Sequence, residues 1–252
     1  MSERVAIPST RDVPASLDTR SREAAPGDGR PRADEGATGD GRPRADEGAT
    51  GDGRPRADEG APGDDSTTAD ACVVACPPHP QQRGHRGDQR LVAISDRLVD
   101  GGVDCLRFDY GDWDEGYGEL GDTYDALAWA SERYERVGLA GFSFGACLTL
   151  LAAGGTGVDG EPAATPDLDA VGALAPPPRL NADLDAVAAM SHIDAPATVV
   201  YGERDDIADW KPVVERANEL GWETTALSAD HFFVGRTGEV ADAVGEFLLD
   251  AL

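Results

Sequence analysis

Short apolar runs alternate with amphipathic stretches along most of the chain, and this rhythm predicts strands alternating with helices. Residues 71–76 (ACVVAC) are an unbroken apolar run, as suits a strand buried on both faces. Residues 88–99 place Leu91, Ile94, Leu98 and Val99 on one face of a helix. A strand is expected at 103–108, then a helix at 122–134 that brings Tyr124, Leu127 and Ala128 together. Further strands fall at 136–140, 169–175, 197–201 and 222–227, with helices after GFSFG through residue 151 and at 212–220. A last helix at 238–249 carries Val240, Val244, Phe247 and Leu248 at helical spacing. Strands separated by helices imply an α/β fold: a mostly parallel sheet covered on both faces. Residues 5–7 and 13–17 read as two short strands joined by a turn.

One segment breaks the rhythm. GDGRPRADEGAT begins at Gly27 and recurs at Gly39, and GDGRPRADEGAP follows at Gly51. These repeats hold almost no apolar side chain, so they cannot bury enough surface to offset their ordering entropy. Residues 21–70 are therefore expected to be disordered. The chain then divides into a strand pair at 1–20, an inserted tract at 21–70 and a core at 71–252. Loop-closure cost grows only logarithmically, so a long insertion inside one surface connection is tolerable.

Charge narrows the partners. There are 48 Asp plus Glu against 22 Lys plus Arg, a formal charge of −26. Nucleic acid and anionic lipid would be repelled. Each repeat carries two Arg against two Asp and one Glu, so the excess acid belongs mainly to the core. Only Lys211 is lysine. Spread acidity with almost no lysine resembles proteins of salt-accumulating halophiles, where a Debye length of about 3 Å at molar salt makes self-repulsion tolerable. Cys72, Cys76, Cys105 and Cys147 sit in apolar runs and read as small buried hydrophobes. The N-terminus lacks an apolar leader, and no stretch is long enough to span a membrane, so a cytoplasmic protein is expected. No metal or cofactor is implied.

The chemistry concentrates in three places. Gly141-Phe142-Ser143-Phe144-Gly145 lies between a predicted strand and a predicted helix, the setting in which a sharp turn exposes a nucleophilic serine. His231 lies after the last strand and before the last helix, where a base would follow in chain order. The segment after the strand at 197–201 offers Asp205, Asp206 and Asp209 to orient that histidine. Asp205 has the best offset, and Asp206 is its nearest rival. An oxyanion would need the Phe144 N–H and a second donor from CPPHPQ at 76–81. Proline has no N–H, which leaves His79 and Gln81, and His79 is the preferred donor. His85 and His192 read as loop histidines. The acidic stretch GDWDEGYGELGD from Gly111 follows a strand, where α/β sheets bind ligands. It does not match a calcium loop and is expected to be a solvated acidic loop.

CPPHP, LRFDYGD with GELGD after it, GFSFGA, YGERDD and ADHFF together resemble a family of small α/β-hydrolases related to dienelactone hydrolases. The resemblance spans nearly the whole chain outside the repeats. It implies an α/β-hydrolase fold with an eight-stranded sheet and a minimal lid, and triad roles on Ser143, His231 and Asp205. An enzyme of this kind would cleave a small-molecule ester or thioester with no cofactor. A ligand-binding relative without catalysis, or a peptidase or acyltransferase with the same triad, would share the pattern. The chain departs from its relatives at Pro77-Pro78-His79-Pro80, where they often read His-Pro-His-Pro, and at Arg83-Gly84, where they often have two glycines. Dienelactone hydrolases proper use cysteine where this chain has Ser143.

If the acidity is a salt adaptation, the thermal midpoint should rise steeply between low and molar KCl as screening removes repulsion. A midpoint that is flat or falls across that range would rule it out.

Overall fold

The computed structural model describes residues 1–20, 69–157 and 167–252. The three repeats, and the disorder expected of them, lie outside the described residues. Eight strands form one sheet: β1 (Ser2–Ala6), β2 (Pro14–Asp18), β3 (Ala71–Cys76), β4 (Asp104–Phe108), β5 (Arg136–Phe142), β6 (Ala170–Leu174), β7 (Ala197–Gly202) and β8 (Glu223–Leu227). Their spatial order is β1-β2-β4-β3-β5-β6-β7-β8. The β1–β2 and β2–β4 pairs are antiparallel, and every pair from β4 to β8 is parallel.

Among the described residues, six α-helices accompany it: α1 (Gln89–Asp100), α2 (Tyr117–Ser131), α3 (Phe144–Ala153), α4 (Ala186–Ala189), α5 (Lys211–Leu220) and α6 (Thr237–Ala251). Leu91, Ile94 and Leu98 of α1 join Val240, Val244 and Leu248 of α6 under one face of the sheet. Leu120 and Leu127 of α2, Leu148 and Leu151 of α3 and Val213 of α5 pack on the other. Both faces of β3 are therefore dry, which accounts for its unbroken apolar run. Among the described residues, no helix is long and apolar enough to cross a membrane.

The structure corrects the sequence reading around α2. That helix starts at Tyr117, well before the expected residue 122. Gly116, Gly118 and Gly121 read as helix breakers, but the Glu119 carboxylate accepts the Gly116 and Asp114 N–H groups, each at 2.9 Å, and closes the first turn. Gly116 itself has φ 99°, a conformation that favours glycine. Ala128 faces solvent instead of packing beside Leu127, because Leu120, Thr123 and Ala130 set the buried stripe. The solvated acidic loop is corrected in part: Asp112, Asp114 and Glu115 are exposed, but Glu119 and Asp122, on α2, are completely buried.

The strand pair at the N-terminus is tied in by a buried charge. On β2, Asp18 Oδ2 accepts from Arg107 Nε on β4 at 2.6 Å and from the Ser95 hydroxyl on α1 at 2.7 Å. Burial alone would raise the Asp18 pKa, but bonds from Arg107, Ser2 and Ser95 and the Arg107 charge together hold it below its ordinary value. Its stabilising contribution is therefore complete above the ordinary carboxylate range and is lost as pH falls through the lowered folded value.

Asp18→Ala strands a nearly buried guanidinium and should cost about 3 kcal/mol. For a domain of this size that lowers the thermal midpoint by about 6–12 °C near neutral pH, and less in strong acid. Deleting residues 1–20 should destabilise at least as much. Calorimetry on both variants checks this, and an unchanged midpoint would show that the strand pair is dispensable.

Candidate active site

The loops that leave the C-terminal ends of β5, β7 and β8 converge on one point. Ser143 sits between β5 and α3 with φ 55° and ψ −116°, an uncommon conformation for any residue but glycine. The turn is pinned at both ends: Ser143 N–H donates to the Leu174 carbonyl at 2.8 Å, and Cys147 N–H donates to the Ser143 carbonyl at 3.0 Å. It also needs its flanking glycines. A Cβ on Gly141 would lie 2.4 Å from the Gly145 carbonyl oxygen, and one on Gly145 would lie 2.3 Å from that of Cys76.

His231 lies in the loop between β8 and α6 and is nearly buried. Its Nε2 is 2.9 Å from Ser143 Oγ, and its Nδ1 is 2.7 Å from Asp205 Oδ2. With the ring proton on Nδ1, His231 donates to the carboxylate and accepts from the hydroxyl. The other oxygen of Asp205 accepts from the Ile207 and Ala208 N–H groups at 2.9 and 3.0 Å. The Asp205 side chain is wholly buried, whereas its rivals Asp206 and Asp209 are exposed.

The loops carrying Asp205 and His231 are laced together. Arg204 donates to the hydroxyl and carbonyl of Ser228 at 2.9 and 2.8 Å, and Gly202 leaves room for the Ala229 carbonyl. Beneath His231, Phe233 is fully buried against Phe142. Arg90 of α1 lies over the Phe142 ring and donates to the Phe232 carbonyl at 2.8 Å. Nothing in the sequence singled out Arg90, which reads as one more charge on the polar side of an amphipathic helix.

Phe144 is the first residue of α3, and its N–H points out of the helix end that carries partial positive charge. No acceptor among the described residues takes the N–H of Phe144 or of His79. The Gln81 N–H is turned toward the His79 Nδ1 at 3.3 Å, which engages the rival donor. The His79 ring stacks on Trp113 at 4.5 Å and tilts against Phe144 at 4.9 Å. Burial lowers its pKa by more than the Glu119 charge raises it, which favours the neutral ring.

An open cleft of about 520 Å³ lies over Ser143 and His231. Trp113, Phe144, Pro177, Leu180 and Ile207 supply apolar wall, and Glu115, Arg179 and Asn181 supply polar rim. Apart from Phe144, sequence reasoning did not identify these lining residues. The one usable signal was Trp113, a large aromatic in an otherwise polar loop. Between β6 and β7 the chain forms only the single turn α4 and a short 3₁₀ turn at Met190–His192. His192 is exposed, and His85 Nδ1 accepts the Gly87 N–H at 3.0 Å within its own turn. All four cysteines are free and buried, and burial pushes Cys76 and Cys105 up to about 12. No cluster of three or more potential metal ligands occurs among the described residues.

No sequence-family model matches the chain, and no curated protein sequence matches it. Solved structures do. An α/β serine hydrolase homologue from Coxiella burnetii matches 98% of this chain and 97% of its own length, with 18% identity and a TM-score of 0.65. A serine hydrolase without a lid from Xanthomonas campestris matches 100% of this chain and 95% of its own, with 18% identity and a TM-score of 0.65. Est1E from Butyrivibrio proteoclasticus matches 99% and 98%, with 15% identity and a TM-score of 0.64. The chain therefore has the α/β-hydrolase fold.

The glycine crossing can be tested on its own. Gly145→Ala presses a methyl group onto backbone that cannot move aside and should cost about 3 kcal/mol. Gly121→Ala, on α2 with nothing within 4 Å of its Cβ, should gain up to about 1 kcal/mol. Thermal unfolding of the two proteins should diverge in opposite directions, and equal midpoints would refute the close approach.

Proposed function

We propose that this chain is a serine hydrolase that cleaves an ester or thioester of a small to medium acyl group through Ser143, His231 and Asp205. The observation that carries this reading is the unbroken hydrogen-bonded line from a buried carboxylate through a buried imidazole to a serine held at φ 55°. A structural serine has no need of such a turn. Backbone strain of this kind costs about 1–3 kcal/mol and persists where function requires it.

The residues define the steps. Ser143 Oγ attacks the substrate carbonyl carbon while its proton passes to His231 Nε2. Negative charge on the carbonyl oxygen meets the Phe144 N–H, aided by the α3 dipole, and the His79 N–H. Collapse breaks the bond to the leaving group, which takes the proton from His231 and departs as alcohol or thiol. Water then attacks the acyl-enzyme by the same route, releases the acid and restores Ser143. Asp205 keeps the ring in the productive tautomer and stabilises the imidazolium.

The open cleft supports small and medium substrates, since no long insertion between β6 and β7 roofs it. The motifs at 76–80, 106–122 and 141–146 favour kinship with dienelactone hydrolases, while the serine at 143 argues against dienelactone itself. The acid excess supports a halophilic, cytoplasmic setting without nucleic-acid or membrane partners. A non-catalytic binding protein would have had no need to keep all three groups within hydrogen-bond distance. A peptidase or acyltransferase would use the same groups and differ only in leaving group or acceptor.

Fluorophosphonate labelling in molar KCl tests the reading. Wild-type protein should be labelled, Ser143→Ala should not, and His231→Ala should label almost as poorly, because the groups act as a unit. Asp205→Asn should lower kcat by about 10⁴-fold through the wrong tautomer. A panel of 4-nitrophenyl esters of increasing acyl length then defines the substrate. Labelling that survives Ser143→Ala, or a wild-type protein that never labels, would overturn the assignment.

A further inference from the structure

The acidic stretch from Gly111 forms one wall of the cleft, and side chains from three other parts of the chain hold its backbone. We propose that Arg11, from the connection between β1 and β2, is a positioning residue that locks this loop so that Trp113 and Glu115 form a fixed wall of the substrate cleft.

Arg11 Nε donates to Asp122 Oδ1 at 2.7 Å, and one terminal nitrogen donates to the Asp112 carbonyl, next to Trp113. The other oxygen of Asp122 accepts the Gly111 N–H at 2.9 Å. The Glu119 carboxylate, 4.0 Å from the guanidinium, accepts the N–H groups of Asp114 and Gly116. Two fully buried carboxylates thus bind the loop backbone from below, and among the described residues the cation paired with them comes from the N-terminal hairpin. Removing it would leave two buried negative charges side by side, which their environment cannot sustain.

The glycines of the motif are shaped to this side chain. A Cβ on Gly118 would lie 2.2 Å from an Arg11 guanidinium nitrogen, and one on Gly111 would lie 3.0 Å from Arg11 Cβ. Across the cleft, Asn181 Nδ2 donates to the Glu115 carbonyl at 3.3 Å. Glu115 has φ 55°, a conformation that survives only when its surroundings over-determine it. The loop is clamped from both sides, and Trp113 is held flat on His79 in consequence. The fork geometry matters as well: a planar guanidinium reaches Asp122 and the Asp112 carbonyl at once, which an ammonium does not reproduce.

The kinetic arm of the test rests on the hydrolase reading, while the spectroscopic arm does not. Steady-state hydrolysis of 4-nitrophenyl butyrate in molar KCl is measured for Arg11→Ala, Arg11→Lys and Gly118→Ala. Acrylamide quenching of Trp113 is taken as the difference between each protein and its Trp113→Phe counterpart. Arg11→Ala and Gly118→Ala should raise KM about tenfold with kcat within about twofold of wild type, and Arg11→Lys should restore only part of the loss. Trp113 should become more quenchable in step. Gly118→Ala is decisive because it displaces the guanidinium without truncating Arg11 and improves helix propensity, so its thermal midpoint should fall less than that of Arg11→Ala. It also decides the matter if Arg11→Ala does not fold. Unchanged KM and unchanged Trp113 quenching in a folded Gly118→Ala protein would overturn the proposal. If wild-type protein neither labels nor turns over ester, the hydrolase reading fails, and Trp113 quenching alone decides the role of Arg11.

Discussion

Everything at the cleft depends on how closely α3 crosses the end of β3. Gly145 lies against the carbonyls of Cys76 and Pro77 with no room for a methyl group, and Gly141 lies against Gly145. That crossing forces Ser143 into its positive φ and lifts Oγ clear of the sheet toward His231. The strain, about 1–3 kcal/mol, is small beside the burial of α3. Leu148, Leu150 and Leu151 are wholly buried, and each contributes about 1.5–3 kcal/mol. The helix can therefore hold the turn, and the same helix presents its N-terminal N–H groups to whatever charge forms beside Ser143.

A chain this acidic would be expected to keep its carboxylates in water, yet several of them organise the interior. Asp18, Glu119, Asp122 and Asp205 each accept at least two hydrogen bonds, so none is left unsatisfied. Their environments differ. Around Asp18, Arg107 and hydroxyl donors outweigh the cost of burial and the pKa falls. Around Asp122, burial outweighs the bonds from Gly111 and Arg11, the Glu119 charge adds to it, and the pKa rises. Asp205 spends one oxygen on its own loop and offers the other to His231. The surface excess of acid and these interior groups do separate jobs: the first governs solubility and salt response, the second fixes loops.

Much of this was legible in the sequence. Short apolar runs located β3, β4 and β7, and 3.6-residue periodicity located the inward faces of α1 and α6, because those elements bury both faces or one stripe, and burial writes itself into residue type. Ser143 and His231 were legible because strand–turn–helix context is local. Asp205 was separable from Asp206 only by offset, since both have the same composition around them. The start of α2 was not legible. Its glycines signal a loop, and what makes them helical is a side chain, Glu119, folding back on its own first turn.

The sequence by itself determined which segments could be strands and helices, the order of Ser143, Asp205 and His231 along them, and the need for small residues around Ser143. Tertiary structure alone decided which aspartate would be buried beneath His231, which walls would enclose the cleft, and that Arg11, more than a hundred residues from Asp122, would hold one of those walls. The reason is physical. Periodicity and turn chemistry act between residues a few positions apart, whereas burial and charge pairing depend on which distant segments the sheet brings together.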